Sequence, residues 1–171
     1  MNHSIIKEIK SDQKEFYKQF LGHGLIHDEE SFRITPNDDL HLDFPTKDKE
    51  DSFTLGAYIG NALGGVVSFE RDGSNREKLR HKGILFRMYV ANEYRGQGLS
   101  KELIDALLVR VRKIGDIEQI NLTVIANNDK AKALYEKFGF NTFSSEEHAI
   151  KWKGKYFTED QMVLRIIYNP Y

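Results

Sequence analysis

The chain contains no cysteine. Disulfides, thiolate metal sites and a cysteine nucleophile are therefore excluded, and the protein would function unchanged in a reducing compartment, with the cytoplasm as the expected location. No strong net charge exists: 25 Lys and Arg face 26 Asp and Glu, for a formal −1. A global field that would recruit nucleic acid or an anionic membrane is thus missing. No apolar stretch is long enough to span a bilayer. The start, Met1-Asn2-His3-Ser4-Ile5-Ile6-Lys7, lacks the apolar run of a signal peptide. Repeats and low-complexity segments are absent. The six histidines, at 3, 23, 27, 41, 81 and 148, show no metal-ligand spacing, so no metal is expected.

What is present is an ordinary apolar content, 40%, with 11 Phe and 8 Tyr, in 171 residues. That suffices for one domain over residues 1–171 with a sizeable core. Ile5–Ile9 reads as a first strand. Ser11 or Asp12 caps a helix carrying Phe16, Phe20 and Leu21, and Gly22 and Gly24 are expected to break it. Residues 27–52 read as polar and irregular, punctuated by Pro36 and Pro45, with a short helix unplaced. Thr54–Gly60 and Leu63–Arg71 form a hairpin at Gly60-Asn61. Ile84–Val90 is a strongly β-prone strand. Leu99, Leu103, Leu107 and Val111 then set a helical stripe that Gly115 ends. Ile120–Ile125 is a further strand. Ala131, Leu134, Tyr135 and Phe138 mark a helix capped by Asn127 or Asn128. Two late strands, about 142–152 and 157–167, turn near Gly154. The order predicts a mixed α/β layer around one sheet.

Arg95-Gly96-Gln97-Gly98-Leu99-Ser100 lies between a strand and a helix. Glycines there let the backbone point successive N–H groups into one concavity. The helix start adds its unpaired N–H groups and positive dipole end. Two linked phosphates suit such a site; a bare Gly-rich turn is the plain reading. A P-loop does not fit, because Ser100-Lys101 has the wrong order, and a dinucleotide fingerprint lacks its third glycine at Lys101.

The second motif is Asn127-Asn128-Asp129-Lys130-Ala131-Lys132-Ala133-Leu134-Tyr135-Glu136-Lys137-Phe138-Gly139-Phe140. Together the two segments resemble the GNAT (GCN5-related N-acetyltransferase) family. That family carries Arg/Gln-x-x-Gly-x-Gly/Ala at its pyrophosphate turn and an Asn-x-x-Ala-x-x-Leu-Tyr-Glu-Lys-x-Gly-Phe helix. Gly154-Lys155-Tyr156 and Met162-Val163-Leu164 resemble its closing hairpin. The likeness covers residues 84–167 well. Ser100 stands where Gly or Ala is usual, a small residue able to donate to phosphate.

The resemblance implies a single domain with a central mixed, mostly antiparallel sheet, splayed between its fourth and fifth strands and flanked by helices. It implies an N-acetyltransferase moving an acetyl group from acetyl-CoA to a primary amine of a small molecule or peptide. Met88, Tyr89 and Val90 would pair with the pantetheine arm as an added strand does, and the Val90 N–H would serve as oxyanion donor. Arg95, Gly96, Gln97, Gly98, Leu99 and Ser100 would hold the pyrophosphate, and Asn127 would bond the pantetheine. Lys130, Lys132, Lys101 and Arg95 are candidates for screening the 3′-phosphate. Tyr135 would protonate the departing thiolate, a phenol near pKa ~10 facing a thiol near ~8.5, with Leu134 and Phe138 turned to the core. On periodicity alone, Tyr135 reads equally as a core tyrosine.

No general base is evident. Some family members place Glu five residues before the Asn, where this chain has Leu122. Glu70, Tyr89 through water, and His148 are candidates, as is a water chain. The acid-rich stretch 27–51 reads either as a wall favouring a cationic acceptor or as a solvated loop. The alternative function is a catalytically silent acyl-CoA-binding sensor. Strand edges at the C-terminal hairpin would permit a homodimer.

Overall fold

A computed structural model describes residues 3–73 and 76–168. The strands are β1 (Ser4–Ile9), β2 (Ser52–Ile59), β3 (Ala62–Arg71), β4 (Lys82–Val90), β5 (Gln119–Ile125), β6 (Asn141–Trp152) and β7 (Lys155–Arg165). The helices are α1 (Lys14–His27), α2 (Pro36–His41), α3 (Leu99–Ile114) and α4 (Asp129–Lys137). Among the described residues the strands form one sheet in the order β1-β2-β3-β4-β5-β7-β6. β1–β2, β2–β3, β5–β7 and β6–β7 are antiparallel, and β4–β5 is parallel from Lys82/Gln119 to Ile84/Asn121. The sheet is thus mixed and mostly antiparallel. The chain divides into two compact units, Met1–Glu70 with Leu85–Ile114, and Arg71–Ile84 with Gly115–Tyr171.

In the first unit the apolar stripe of α3 is realised as read: Leu99, Leu103, Ile104, Leu107, Leu108 and Val111 are all buried. Each such side chain contributes on the order of 1.5–3 kcal/mol by leaving water. Arg110, on the other side of α3, donates to Glu8 at 2.7 Å and to the Lys49 carbonyl at 3.2 Å. Its guanidinium lies 3.9 Å from the Phe53 ring centroid. Ile9, Tyr17, Leu21, Leu25, Val66 and Tyr89 form a second buried cluster.

Helix α1 departs from expectation. It runs through Gly22 and Gly24 to His27. Ser11 and Asp12 belong to a preceding 3-10 turn instead of capping it. Gly24 serves close packing: a Cβ there would stand 2.7 Å from the Tyr89 ring, whereas one at Gly22 would meet nothing within 4 Å. The following segment holds α2, closed by a capping box in which Thr35 accepts from the Asp38 amide at 3.1 Å and Asp38 from the Thr35 amide at 2.8 Å.

In the second unit β7 lies between β5 and β6. The β6–β7 turn uses Lys153 and Gly154, both at positive φ, as a two-residue hairpin with right-handed strand twist requires. Arg71 pairs with Asp116 at 2.6 Å, and Tyr168 donates to the Ile117 carbonyl at 2.8 Å. Asn128 is the N-cap of α4, accepting from the Ala131 amide at 3.2 Å.

Candidate functional site

The turn after β4 is built by three local choices. A 3-10 turn over Asn92–Tyr94 leads out of the strand, Arg95 extends, and Gly96 and Gly98 adopt φ of 75° and 85°. Those left-handed values are what glycine supplies at no steric cost. An added Cβ at either glycine would meet nothing within 4 Å, so they are required by conformation and their outer face is open. Residues 95–98 are exposed, while Leu99 is buried and anchors the start of α3. The Glu102 amide is the first to be paired in the helix, to the Gly98 carbonyl at 3.1 Å. The amides of Leu99, Ser100 and Lys101 thus lack intrahelical acceptors at the positive end of a 16-residue helix. Unpaired amides at a helix start are the kind of donors that anion sites use.

The Arg95 side chain takes another course. Its Nε donates to the Val90 carbonyl at 3.0 Å and its Nη2 to Asp28 Oδ2 at 2.9 Å, and its guanidinium lies 5.9 Å from the Tyr89 centroid. The guanidinium is thus engaged by Val90 and Asp28, while its side chain remains 45% exposed. Lys101 and Lys132 are also engaged, with Asp105 and Asp160, both at 2.6 Å. Gln97 reaches back to the Glu93 carbonyl at 3.4 Å.

At the end of β4, the Ala91 amide donates to the Gly64 carbonyl of β3 at 3.0 Å. Successive amides alternate along a strand, so the Val90 N–H points away from β3. Arg87, just before Met88, sits at φ 54°. A left-handed residue inside a strand marks a bulge, which bends the strand and breaks its pairing. Met88 is half-buried, whereas Tyr89 and Val90 are buried.

Tyr89 is wedged between Phe20 and Phe32, at ring centroid distances of 5.6 and 5.3 Å. Its hydroxyl donates to Asp28 Oδ2 at 3.4 Å. Burial pushes the phenol up, the Asp28 charge adds to this, and Arg95 opposes it. Beside it opens a cavity of about 590 Å³, lined by Phe20, His23, His27 and Asp28 of α1 and its end, and by Tyr89, Ala91 and Glu93 among others. In sequence Phe20 was read only as part of an apolar helix face, His23 and His27 only as scattered histidines, and Asp28 only as part of the acid-rich stretch. Their signal was the i, i+4 spacing of His23 and His27, whose rings stack at 6.0 Å. A helix ending at Gly22 would have hidden it.

In the second unit, Tyr135 is 6% exposed, the only buried residue of α4. Leu134 and Phe138 are half-buried, the reverse of the expected distribution. Tyr135 packs edge-on to Phe140 at 5.8 Å. Burial alone pushes its phenol up, with no charged neighbour contributing. Asn127 is exposed and leaves the capping to Asn128. Leu122 is buried at 4% and fills core where a base would have stood.

The other base candidates have structural duties. Glu70 accepts from Ser52 at 3.4 Å, and His148, at φ 56° in a bulge of β6, stacks on Tyr156 at 4.4 Å. The acid-rich stretch is also largely spent. Asp43 pairs with Lys14 at 2.6 Å, Asp48 accepts from the Ser11 amide at 3.0 Å, and Asp38 closes the cap of α2. Hydrogen bonds from Thr35 hold Asp38, and Lys14 holds Asp43, below the usual carboxylate range.

A mixed α/β sheet whose fourth strand runs into a glycine-built anion turn defines a class of folds that bind phosphate-bearing ligands at a helix start. The chain belongs to the acetyltransferase (GNAT) family, which it matches over residues 9–140. It is 29% identical over 86 residues to a spermine/spermidine N(1)-acetyltransferase of Bacillus subtilis, covering 50% of this chain and 53% of that one, about half its length. An acetyltransferase of Sodalis glossinidius is 27% identical over 130 residues, 75% of this chain and 82% of its own. A GNAT acetyltransferase structure from Streptococcus pneumoniae superposes with a TM-score of 0.83 at 22% identity, covering 96% of this chain and all of that one. An acetyltransferase from Salmonella typhimurium, solved with acetyl-CoA, superposes at 0.77 and 15% identity over 99% and 97% of the two chains.

Proposed function

We propose that the protein is an N-acetyltransferase that moves an acetyl group from acetyl-CoA directly to a primary amine. The observation that carries this is the open turn at Gly96 and Gly98 on the start of α3, with its unpaired first-turn amides. In this reading Gly96, Gln97, Gly98, Leu99 and Ser100 hold the pyrophosphate by main-chain donors, with Arg95 bracing the turn from behind. Met88, Tyr89 and Val90 present backbone to the pantetheine, with Asn127 as a further donor. The Val90 N–H, turned from β3, stabilises the oxyanion.

The neutral amine attacks the thioester carbon. The C–N bond forms, the C–S bond breaks, the amine loses a proton to water, and the thiolate takes one from Tyr135. The buried phenol remains protonated throughout the neutral range, as that role needs.

A second reading, an acyl-CoA sensor without turnover, draws on the buried Leu122, which leaves no carboxylate at that strand position. Thiol release from acetyl-CoA across a panel of amines separates the two. The transferase reading expects release that matches acetylated amine; CoA binding with no release from any amine would favour the sensor.

A further inference from the structure

The cavity beside Tyr89 lies next to the residues given to the cosubstrate, since its lining residues Tyr89 and Ala91 flank Val90. Its chemistry is distinctive. The aromatic residues Phe20 and Tyr89 line it, and the half-buried Phe20 ring is of the kind that attracts cations. His23 and His27 form a stacked pair on α1. Two carboxylates, Asp28 and Glu93, complete the group.

The hydrogen bonds that Asp28 accepts from Arg95 and from Tyr89 both fall on Oδ2. Its Oδ1 has no hydrogen bond among the described residues, and its side chain is 22% exposed. Glu93 is exposed; its backbone carbonyl accepts from Gln97, and its carboxylate has no hydrogen bond or ion pair among the described residues. Arg95 offsets one carboxylate and leaves the other in excess. An acceptor with a negative charge would be repelled here, and one with a positive charge retained.

A carboxylate keeps a neighbouring ammonium protonated. A protonated amine has no lone pair with which to attack a thioester. The cation that the cavity holds is therefore not the nitrogen that reacts.

We propose, resting on the transferase reading, that this cavity is the acceptor pocket and that the acceptor carries at least two amines. Asp28 and Glu93 hold one as ammonium beside Phe20, while the other reaches the thioester as the neutral base. The substrate class is a diamine or polyamine, not a monoamine or an amino acid.

The test uses a matched pair, 1,8-diaminooctane and n-octylamine, titrated calorimetrically into the intact protein and its Glu93→Gln variant at low salt. The diamine is expected to bind about fivefold more tightly than the monoamine, and Glu93→Gln to abolish most of that preference. Glu147→Gln, on β6, removes the same charge elsewhere and is expected to leave the preference intact. Equal affinity for both amines, or a diamine affinity unchanged in Glu93→Gln, would overturn the proposal. Circular dichroism confirms folding of each variant. Binding is read without turnover, so the two readings fail separately. A protein that holds the diamine through Glu93 but never acetylates contradicts the transferase reading alone. One that acetylates and binds both amines equally contradicts the pocket alone.

Discussion

Arg95 Nη2 donates to Asp28 Oδ2 at 2.9 Å, which ties the first residue of the glycine turn to the end of α1. The same guanidinium holds the Val90 carbonyl at 3.0 Å. One side chain thereby ties the exit of β4 and the entry of the turn to Asp28, which lines the neighbouring cavity. Asp28 is a positioning residue in this arrangement.

Removing Asp28 should loosen the turn without touching CoA. The ion pair is partly solvated, so the effect is modest: Asp28→Ala is expected to weaken CoA about threefold to fivefold, and Asp28→Glu to restore part of the loss. Calorimetry with CoA alone reads this before any acceptor is present. An unchanged affinity in Asp28→Ala would remove Asp28 from the cofactor side of the site.

The two α1 glycines make opposite predictions. Gly22→Ala adds a methyl where nothing lies within 4 Å, so it should raise stability by about 0.4–1 kcal/mol through helix propensity and the unfolded chain. Gly24→Ala drives a methyl to 2.7 Å from the Tyr89 ring and should cost about 1–3 kcal/mol. Urea midpoints of both variants check this; a stable Gly24→Ala would mean that Tyr89 is not fixed by α1.

That pair also explains what could be read in the sequence and what could not. The α3 stripe, the Gly60-Asn61 hairpin, the Gly115 stop and the Lys153-Gly154 turn were legible, because local periodicity and turn chemistry decide them. The course of α1 was not. Propensity argued for a break at Gly22 and Gly24, but packing on Tyr89 prevailed, and only structure reveals the ring that Gly24 accommodates. With the helix cut short, Phe20 was read as an apolar helix position, and His23, His27 and Asp28 were not placed beside it. The backbone of the glycine turn was legible because positive φ at Gly96 and Gly98 follows from residue type. The pairing of Arg95 with Asp28, 67 residues away in sequence, is one that no local rule reports.

Tyr135 carries a prediction about pH. Burial raises its folded pKa above the ordinary value of about 10, so it stays protonated through neutral and mildly alkaline conditions. It should add no alkaline limb to kcat below about pH 10. The same shift stabilises the fold fully below the unfolded pKa, a contribution lost as pH rises through the folded one. Tyr135→Phe is expected to lower kcat about 10²-fold while leaving CoA affinity within about twofold. Full turnover in that variant, or an alkaline limb near neutrality that it abolishes, would remove Tyr135 from the acid role described above.

The turn at Gly98 bears the most direct test. Its φ of 85° is one that L side chains rarely adopt, and its outer face is where a diphosphate would lie. CoA titrated into the wild-type protein and into Gly98→Asp, each checked for folding, should give one binding event per chain in the first and none in the second. No heat from the wild type, or the same affinity in a folded Gly98→Asp, would contradict the account.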